Sequence, residues 1–290
     1  MKICFFFAEI KCRRRAKTAN FQIHLSNGLF KMWLVAVSLP LLPAIVMVSR
    51  RYGAQVASLC RRALAWATRL ARGRACVRST HAFVFSNCTH GKADSVLTTF
   101  DLYAETHRSL CVGPRIGEAL DEAVRRVRPL RSLELGTHCG YSSVRLLRLL
   151  PPAGRLITVE LDPLTADLGE EIILVAGFKH SQFQVLTCSS AEAIPTLRSR
   201  LEPDRGAGGE AFDLVLMDHD PQQYLPDLLA LEREELLCPS GCSVLLIKRN
   251  QSADDLVGIL DHIRWRADCY CIQTELQFMM EIFYRNEGNS

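Results

Sequence analysis

"SLELGTHCGYSS", residues 132–143, decides the fold. An apolar run ending in an acid, Glu134, breaks at Gly136. After three intervening residues comes Gly140, and then a cluster of hydroxyls. This is the pattern of a buried strand that ends in a ligand-binding turn and feeds a helix.

The neighbouring sequence repeats the strand half of that pattern. Strand-like runs are predicted at 131–135, 155–160, 183–187, 212–217 and 242–247, with helix-like stretches between them. Before the first run, "RIGEALDEAVRRVR" (115–128) places Ile116, Leu120, Ala123 and Val127 on one helical face. Alternating strands and helices imply a parallel sheet covered on both faces. The end differs: "CYCIQTELQFMMEIFYR" holds two strand runs with no helix between them, so an antiparallel hairpin should close the sheet. The expected fold is α/β, a Rossmann-like seven-stranded, mostly parallel sheet with a terminal antiparallel hairpin. The segment 203–210, "PDRGAGGE", has glycines but no Lys-Ser/Thr to form a phosphate loop, and is expected to be a surface loop.

The 290 residues suit one domain plus an appendage, and 48% hydrophobic residues supply an ample core. Net charge is only +4, but arginines crowd the first 80 residues. The basic excess therefore belongs to a targeting or membrane-facing segment, and no nucleic-acid partner is expected. The twelve cysteines contain no CxxC pair and read as free thiols in a reducing compartment. Cys269 and Cys271 fall in a strand-like run, where alternate side chains point the same way.

Met32–Ser49, "MWLVAVSLPLLPAIVMVS", carries no charge and is bracketed by Lys31 and Arg50-Arg51. It is read as a transmembrane anchor near the lower length limit, with a cleaved signal peptide or a buried helix as alternatives. The expected organisation is a basic extension (1–31), the anchor (32–49), a basic amphipathic linker (50–79) and a folded domain (80–290). The arginines after the anchor place that domain in the cytoplasm of a single-pass membrane protein.

Glu134 and Gly136 end the first strand and Glu160 ends the second, in "LITVELDP". An acid at the second strand's end is placed to accept hydrogen bonds from a ribose diol. Nicotinamide cofactors want G-x-G-x-x-G, so that pyrophosphate can rest on a helix N-terminus. Here the turn reads E-L-G-x-x-x-G, without the close-approach glycine. S-adenosylmethionine has no phosphate and a positive sulfonium, and suits an acidic turn better. Plain strand-end solvation is the alternative for both acids.

The motifs "SVLTTFDLY", "CVGPRIGEALDEAV", "LELGTHCGYSSVRLLRLLPPAGRLITVE", "VAGF", "AIPTLR", "FDLVLMDH", "YLPDLLALE" and "SVLL" occur in order over roughly residues 80–285. They resemble the catechol O-methyltransferase family, and in layout its membrane-anchored transmembrane O-methyltransferases. The resemblance implies S-adenosylmethionine as cofactor and a small phenol or catechol as acceptor. It implies that Val112, Glu134, Gly136, Ser142, Glu160, Ser190 and Asp218 contact the cofactor or its pocket. His138 stands where a tyrosine is common and Ala191 where a glutamine is common; both touch the pocket without destroying it.

The metal half of the resemblance is broken. The family holds magnesium with an aspartate after the fourth strand and an Asp-Asn pair after the fifth. The first survives as Asp218, but Lys248 and Arg249 occupy the pair, and two cations repel a dication. The family's lysine base becomes Pro221, which takes no proton. Asp218 and His219 remain as catalytic candidates, although in the family this histidine packs near the adenine. Glu275 is left as counterpart of a catechol-positioning glutamate. An anionic acceptor would suit the two cations. Three readings stay open: an O-methyltransferase with altered or metal-independent chemistry, a membrane-anchored non-catalytic binding or chaperone-like protein with a protein partner, or a different enzyme class such as a dehydrogenase.

Overall fold

The computed structural model describes residues 76–107, 113–201, 211–248 and 256–286. The expected anchor at 32–49, most of the linker, Val112, Arg249 and the loop at 203–210 lie outside these residues. No helix among the described residues is long and apolar enough to cross a membrane.

The described chain begins in a helix over 76–87 (α1), followed by α2 (Ala93–Thr106) and α3 (Gly113–Val127). Then come β1 (Arg131–Leu135), α4 (Tyr141–Leu147), β2 (Arg155–Glu160), α5 (Pro163–Val175) and β3 (Phe183–Thr187). Two short helices, α6 (Ser190–Ala193) and α7 (Leu197–Leu201), precede β4 (Leu214–Met217). The rest is α8 (Tyr224–Arg233), β5 (Cys242–Ile247), α9 (Val257–Trp265), β6 (Tyr270–Glu275) and β7 (Met279–Tyr284). Helix α1 crosses the expected linker boundary at residue 80, and its Val77 and Val84 pack into the core.

The seven strands lie in the order β3-β2-β1-β4-β5-β7-β6. The first five are parallel; β7 runs antiparallel to β5, and β6 pairs antiparallel with β7. This is the Rossmann-like methyltransferase sheet with its closing hairpin. Chain order reverses between β1 and β4, and that switch point is where sheets of this class open a crevice for ligands.

Strand alternation divides the core cleanly. Leu133, Leu135, Ile157, Val159, Val215, Met217, Val244 and Leu246 point to the face covered by α7, α8 and α9. Leu156, Leu214, Leu216, Leu245 and Ile247 point to the face covered by α2–α5. Glu134 and Thr158 alternate with the first set, so they too point to the α2–α5 face.

Several helix starts follow from local chemistry. Asp162 caps α5 by accepting from the Thr165 backbone N–H, with Pro163 at the first helical position. Ser189 and Glu192 form a reciprocal capping box at α6.

Charged groups tie the α2–α5 layer together. The Arg145 guanidinium donates to Asp121 at 2.9 Å and to the Tyr141 hydroxyl at 3.1 Å, and that hydroxyl donates to Asp101 at 2.7 Å. Gly117 leaves the room this needs: a Cβ there would lie 2.3 Å from the guanidinium. Arg126 of α3 pairs with the buried Glu281 of β7, which also accepts from Ser243 at 2.9 Å. The hairpin is thus fastened to the helical layer by a charge that would be costly to bury alone.

Two sequence readings change. The run predicted at 212–217 starts as a strand only at Leu214, because Phe212 bridges Leu237 instead of the sheet. Cys269 and Cys271 do not share an environment. Cys269 is buried just before β6, in a turn closed by its N–H to the Arg266 carbonyl, whereas Cys271 is exposed on the edge strand.

Candidate functional site

The turn after β1 is held by close backbone approaches on two sides. Gly136 has φ +105°, and a Cβ there would lie 2.6 Å from the Asp218 carbonyl oxygen. Its N–H donates to the Val159 carbonyl at 2.8 Å, and the Asp218 N–H donates to the Leu135 carbonyl at 2.9 Å. Gly140, with φ +83°, opens α4 and would meet the Gly169 carbonyl of α5 at 2.8 Å if it carried a Cβ. The two glycines of the E-L-G-x-x-x-G pattern therefore let the turn wedge between β4 and α5.

Glu134 is fully buried at the end of β1. Its Oε2 accepts from the Ser143 hydroxyl and, at 2.7 Å, from Thr158, which in turn accepts from Thr137 at 2.6 Å. Its Oε1 has no hydrogen-bond partner among the described residues. Burial pushes the carboxyl up to about 7, although the Ser142, Ser143 and Thr158 hydroxyls favour the charged form; the charge on Asp218 raises it further. A buried carboxylate with one idle oxygen is a place for a cationic or N–H-bearing ligand group.

Glu160, at the end of β2, accepts the His138 N–H at 3.0 Å and the Asp162 N–H at 3.1 Å, one on each oxygen. The carboxylate is thereby fixed with acceptor capacity to spare. His138 sits in the left-handed region with φ 48°, and its Nε2 donates to the Asp218 carbonyl at 2.9 Å. It thus spans the ends of β1, β2 and β4. Ser142 is buried in the first turn of α4, and Ser190 opens α6 after β3. Glu134, Gly136, His138, Ser142, Glu160, Ser190 and Asp218 all stand at the carboxyl ends of the strands or on the helices that follow them.

His219 follows Asp218. Its Nε2 lies 2.7 Å from Oδ2 of the buried Asp227 on α8, and its ring is 5.2 Å from that of Tyr224. A carboxylate can only accept, so the proton belongs on Nε2. Nδ1 is buried and without a hydrogen-bond partner among the described residues. Pro221 lies in a short 3-10 turn capped by Asp220 and offers no proton acceptor.

At the end of β5, the expected metal position is filled differently. The Lys248 ammonium lies 3.0 Å from Glu275 Oε1 of β6. Asp218 is therefore the only expected metal carboxylate in place. No group of three His, Cys, Asp or Glu side chains among the described residues is arranged to hold a metal ion. Hard oxygen donors are what magnesium requires, and an ammonium among them opposes it. The described residues at this position do not fit magnesium.

The sequence reading missed three partners. Ser143 adjoined a residue already assigned. Thr158 was the lone polar residue inside a buried run, which was a usable signal. Asp227 lies in "YLPDLLALE" (224–232), where nothing in the sequence assigns it a partner, and only the turn of α8 brings it to His219.

The O-methyltransferase family pattern matches residues 97–230. The transmembrane O-methyltransferase of Homo sapiens is 37% identical over 212 residues, covering 72% of this chain and 70% of that protein. The catechol O-methyltransferase of Mus musculus is 38% identical over 148 residues, 51% of this chain and 53% of that one. Among solved structures, the O-methyltransferase TomG from Streptomyces achromogenes, in complex with SAM, is similar in fold. Its TM-score is 0.52 at 22% identity, over 69% of this chain and 92% of that one. With the sheet order and the E-L-G-x-x-x-G turn, these likenesses have one consequence: the chain belongs to the O-methyltransferase family that holds the transmembrane and catechol O-methyltransferases.

Proposed function

We propose that this protein is an S-adenosylmethionine-dependent O-methyltransferase that acts on a small phenolic acceptor without a magnesium ion. The observation that carries the reading is the buried Glu134 with its idle Oε1, beside Gly136 and level with Glu160. The cofactor, when bound, supplies an electrophilic methyl group. Glu134, Gly136, Ser142, Glu160, Ser190 and Asp218, with Val112 and His138, would hold it.

The chain's own groups then divide the remaining work. Glu134 offers negative charge to a cationic ligand. Glu160, braced by two N–H groups, is set to accept from a diol. His219, oriented through Nε2 by Asp227, is the group left to act as base, and Asp227 would stabilise its imidazolium. This replaces the base lost at Pro221. A purified full-length sample given methyl-labelled S-adenosylmethionine and a panel of phenols should transfer label equally well with chelator present. His219→Ala should lower that rate by about a hundredfold. A rate that chelator abolishes would contradict the reading.

The Lys248–Glu275 pair also favours a second reading, a membrane-anchored, non-catalytic binding protein on this fold with a protein partner. Cofactor binding with no label transfer to any phenol would support it.

The domain is further proposed to face the cytoplasm, anchored by residues 32–49. Asn87 of Asn87-Cys88-Thr89 is exposed at the end of α1 and would be available to the glycosylation machinery of a lumenal domain. Expressed in cells, the full chain should show no glycosidase-sensitive mobility shift. A shift that Asn87→Gln removes would place the domain in the lumen.

A further inference from the structure

The residue after β5 is fixed from both sides. The Tyr224 hydroxyl donates to the Ile247 carbonyl at 3.0 Å, and the Lys248 N–H donates to the Phe278 carbonyl at 2.8 Å in the hairpin turn. Met217 pairs with Leu246 across β4 and β5. Lys248 therefore leaves the sheet on the same edge as Asp218 and His219. Its side chain is only 16% exposed, while that of its partner Glu275 is 60% exposed. The cation is held by the scaffold; the anion reaches in from solvent.

A second cation stands at the same rim. The Arg115 guanidinium lies 5.4 Å from the centre of the Phe278 ring, and no carboxylate among the described residues pairs with it. The other acid of the hairpin, Glu281, is buried and committed to Arg126 and Ser243. Lys248 is thus paired with one solvent-reaching carboxylate, and a second cation, Arg115, lies over the half-buried Phe278 ring, whose own carbonyl accepts the Lys248 N–H.

We propose that Lys248 is the anion-holding residue of an acceptor subsite at the β5–β7 rim, and that it selects phenols bearing a carboxylate by exchanging Glu275 for the acceptor's own carboxylate. The inference rests on the methyltransferase reading and specifies its acceptor class. Glu275 occupies the cation in the resting protein, as an internal stand-in for the ligand. A fixed ammonium that is mostly out of water holds an incoming carboxylate more strongly than an exposed one would. Arg115 adds attraction from the flank, and Phe278 offers apolar surface to the ring. Glu275, once displaced, returns to water at little cost because it is already largely exposed.

The test uses the purified full-length protein and two probes that differ in charge, 4-hydroxybenzoate and 4-hydroxybenzamide. Each is titrated calorimetrically, with and without S-adenosylhomocysteine. The benzoate should bind about tenfold more tightly than the amide. Lys248→Met should erase that preference. Glu275→Gln should strengthen benzoate binding several-fold, because the internal competitor is gone. Equal binding of the two probes, or a preference that survives in Lys248→Met, overturns the proposal. So does weaker benzoate binding in Glu275→Gln, which would mark the pair as a mere structural clamp. Thermal melting of both variants checks that they are folded, and the Glu275 variant carries the test if the Lys248 variant is not. S-adenosylhomocysteine binding is measured separately. Its loss in the unmodified protein would count against the methyltransferase reading, while the titrations without it still decide the anion subsite.

Discussion

Alanine at position 136 is expected to lower the melting temperature by about 5–10 °C and to weaken S-adenosylmethionine binding at least about tenfold. Two costs combine. The residue has φ +105°, which disfavours any side chain by about 1 kcal/mol. The new methyl would also lie 2.6 Å from the Asp218 oxygen and 2.8 Å from its carbonyl carbon, and both are backbone atoms. Backbone cannot rotate away, and β1 and β4 are locked here by the Asp218 N–H to Leu135 bond. The ends of the two strands must part, adding about 1–3 kcal/mol. Gly91 is the internal control. It also has positive φ, but nothing lies within 4 Å of its would-be Cβ. Gly91→Ala should cost only the conformational part and leave binding unchanged. Equal melting temperatures for the two variants would refute the account of the β1–β4 wedge.

Cofactor affinity is expected to rise by about tenfold per pH unit as pH climbs from 5 towards 7. Glu134 is the cause. Burial holds its carboxyl up at about 7, so in the free protein it is largely protonated below that point. A cationic ligand beside it favours the carboxylate, and binding releases a proton. Glu134→Gln should bind weakly and lose this pH dependence; whatever dependence persists in that variant belongs to the ligand's own amine. The same shift has a consequence for the ligand-free protein. The group titrates from its ordinary 4.5 to about 7 on folding. Its contribution to stability is full below about 4.5 and is lost as pH rises through about 7, a difference of about 3 kcal/mol. Denaturant midpoints of the unmodified protein and Glu134→Gln should therefore converge at acidic pH and separate above neutrality, with the glutamine variant the more stable there.

The fold was legible because the central strands are buried on both faces and punctuated by turn chemistry. The run 131–135 is followed by a glycine whose positive φ and close backbone neighbours penalise any side chain, and the lack of a helix between residues 275 and 279 foretold the hairpin. Strand–helix alternation implied the parallel sheet, while the strand order that sets its switch point appears only in the structure. What remained hidden depends on contacts between distant elements. Arg145 meets Asp121 only because Gly117 leaves space for it. Asp227 reaches His219 because α8 turns back over β4. Lys248 was visible as a departure from the family pattern and Glu275 as the counterpart of its glutamate. Their mutual pairing was not, because it requires the hairpin to fold back along β5. Phe212 read as strand from its apolar neighbours, yet its pairing with Leu237 removes it from the sheet.

This chain is expected to bind S-adenosylmethionine at the ends of β1 and β2 and to need no metal ion to do so. Calorimetric titration of the cofactor into the full-length protein at mildly alkaline pH, once with magnesium and once with chelator, tests it most directly. Binding should be saturable with the same affinity in both runs, and weakened by roughly tenfold or more in Glu160→Ala, the loss expected when a charge-assisted hydrogen bond is removed. No detectable heat at millimolar cofactor, or binding that appears only with magnesium, would contradict it.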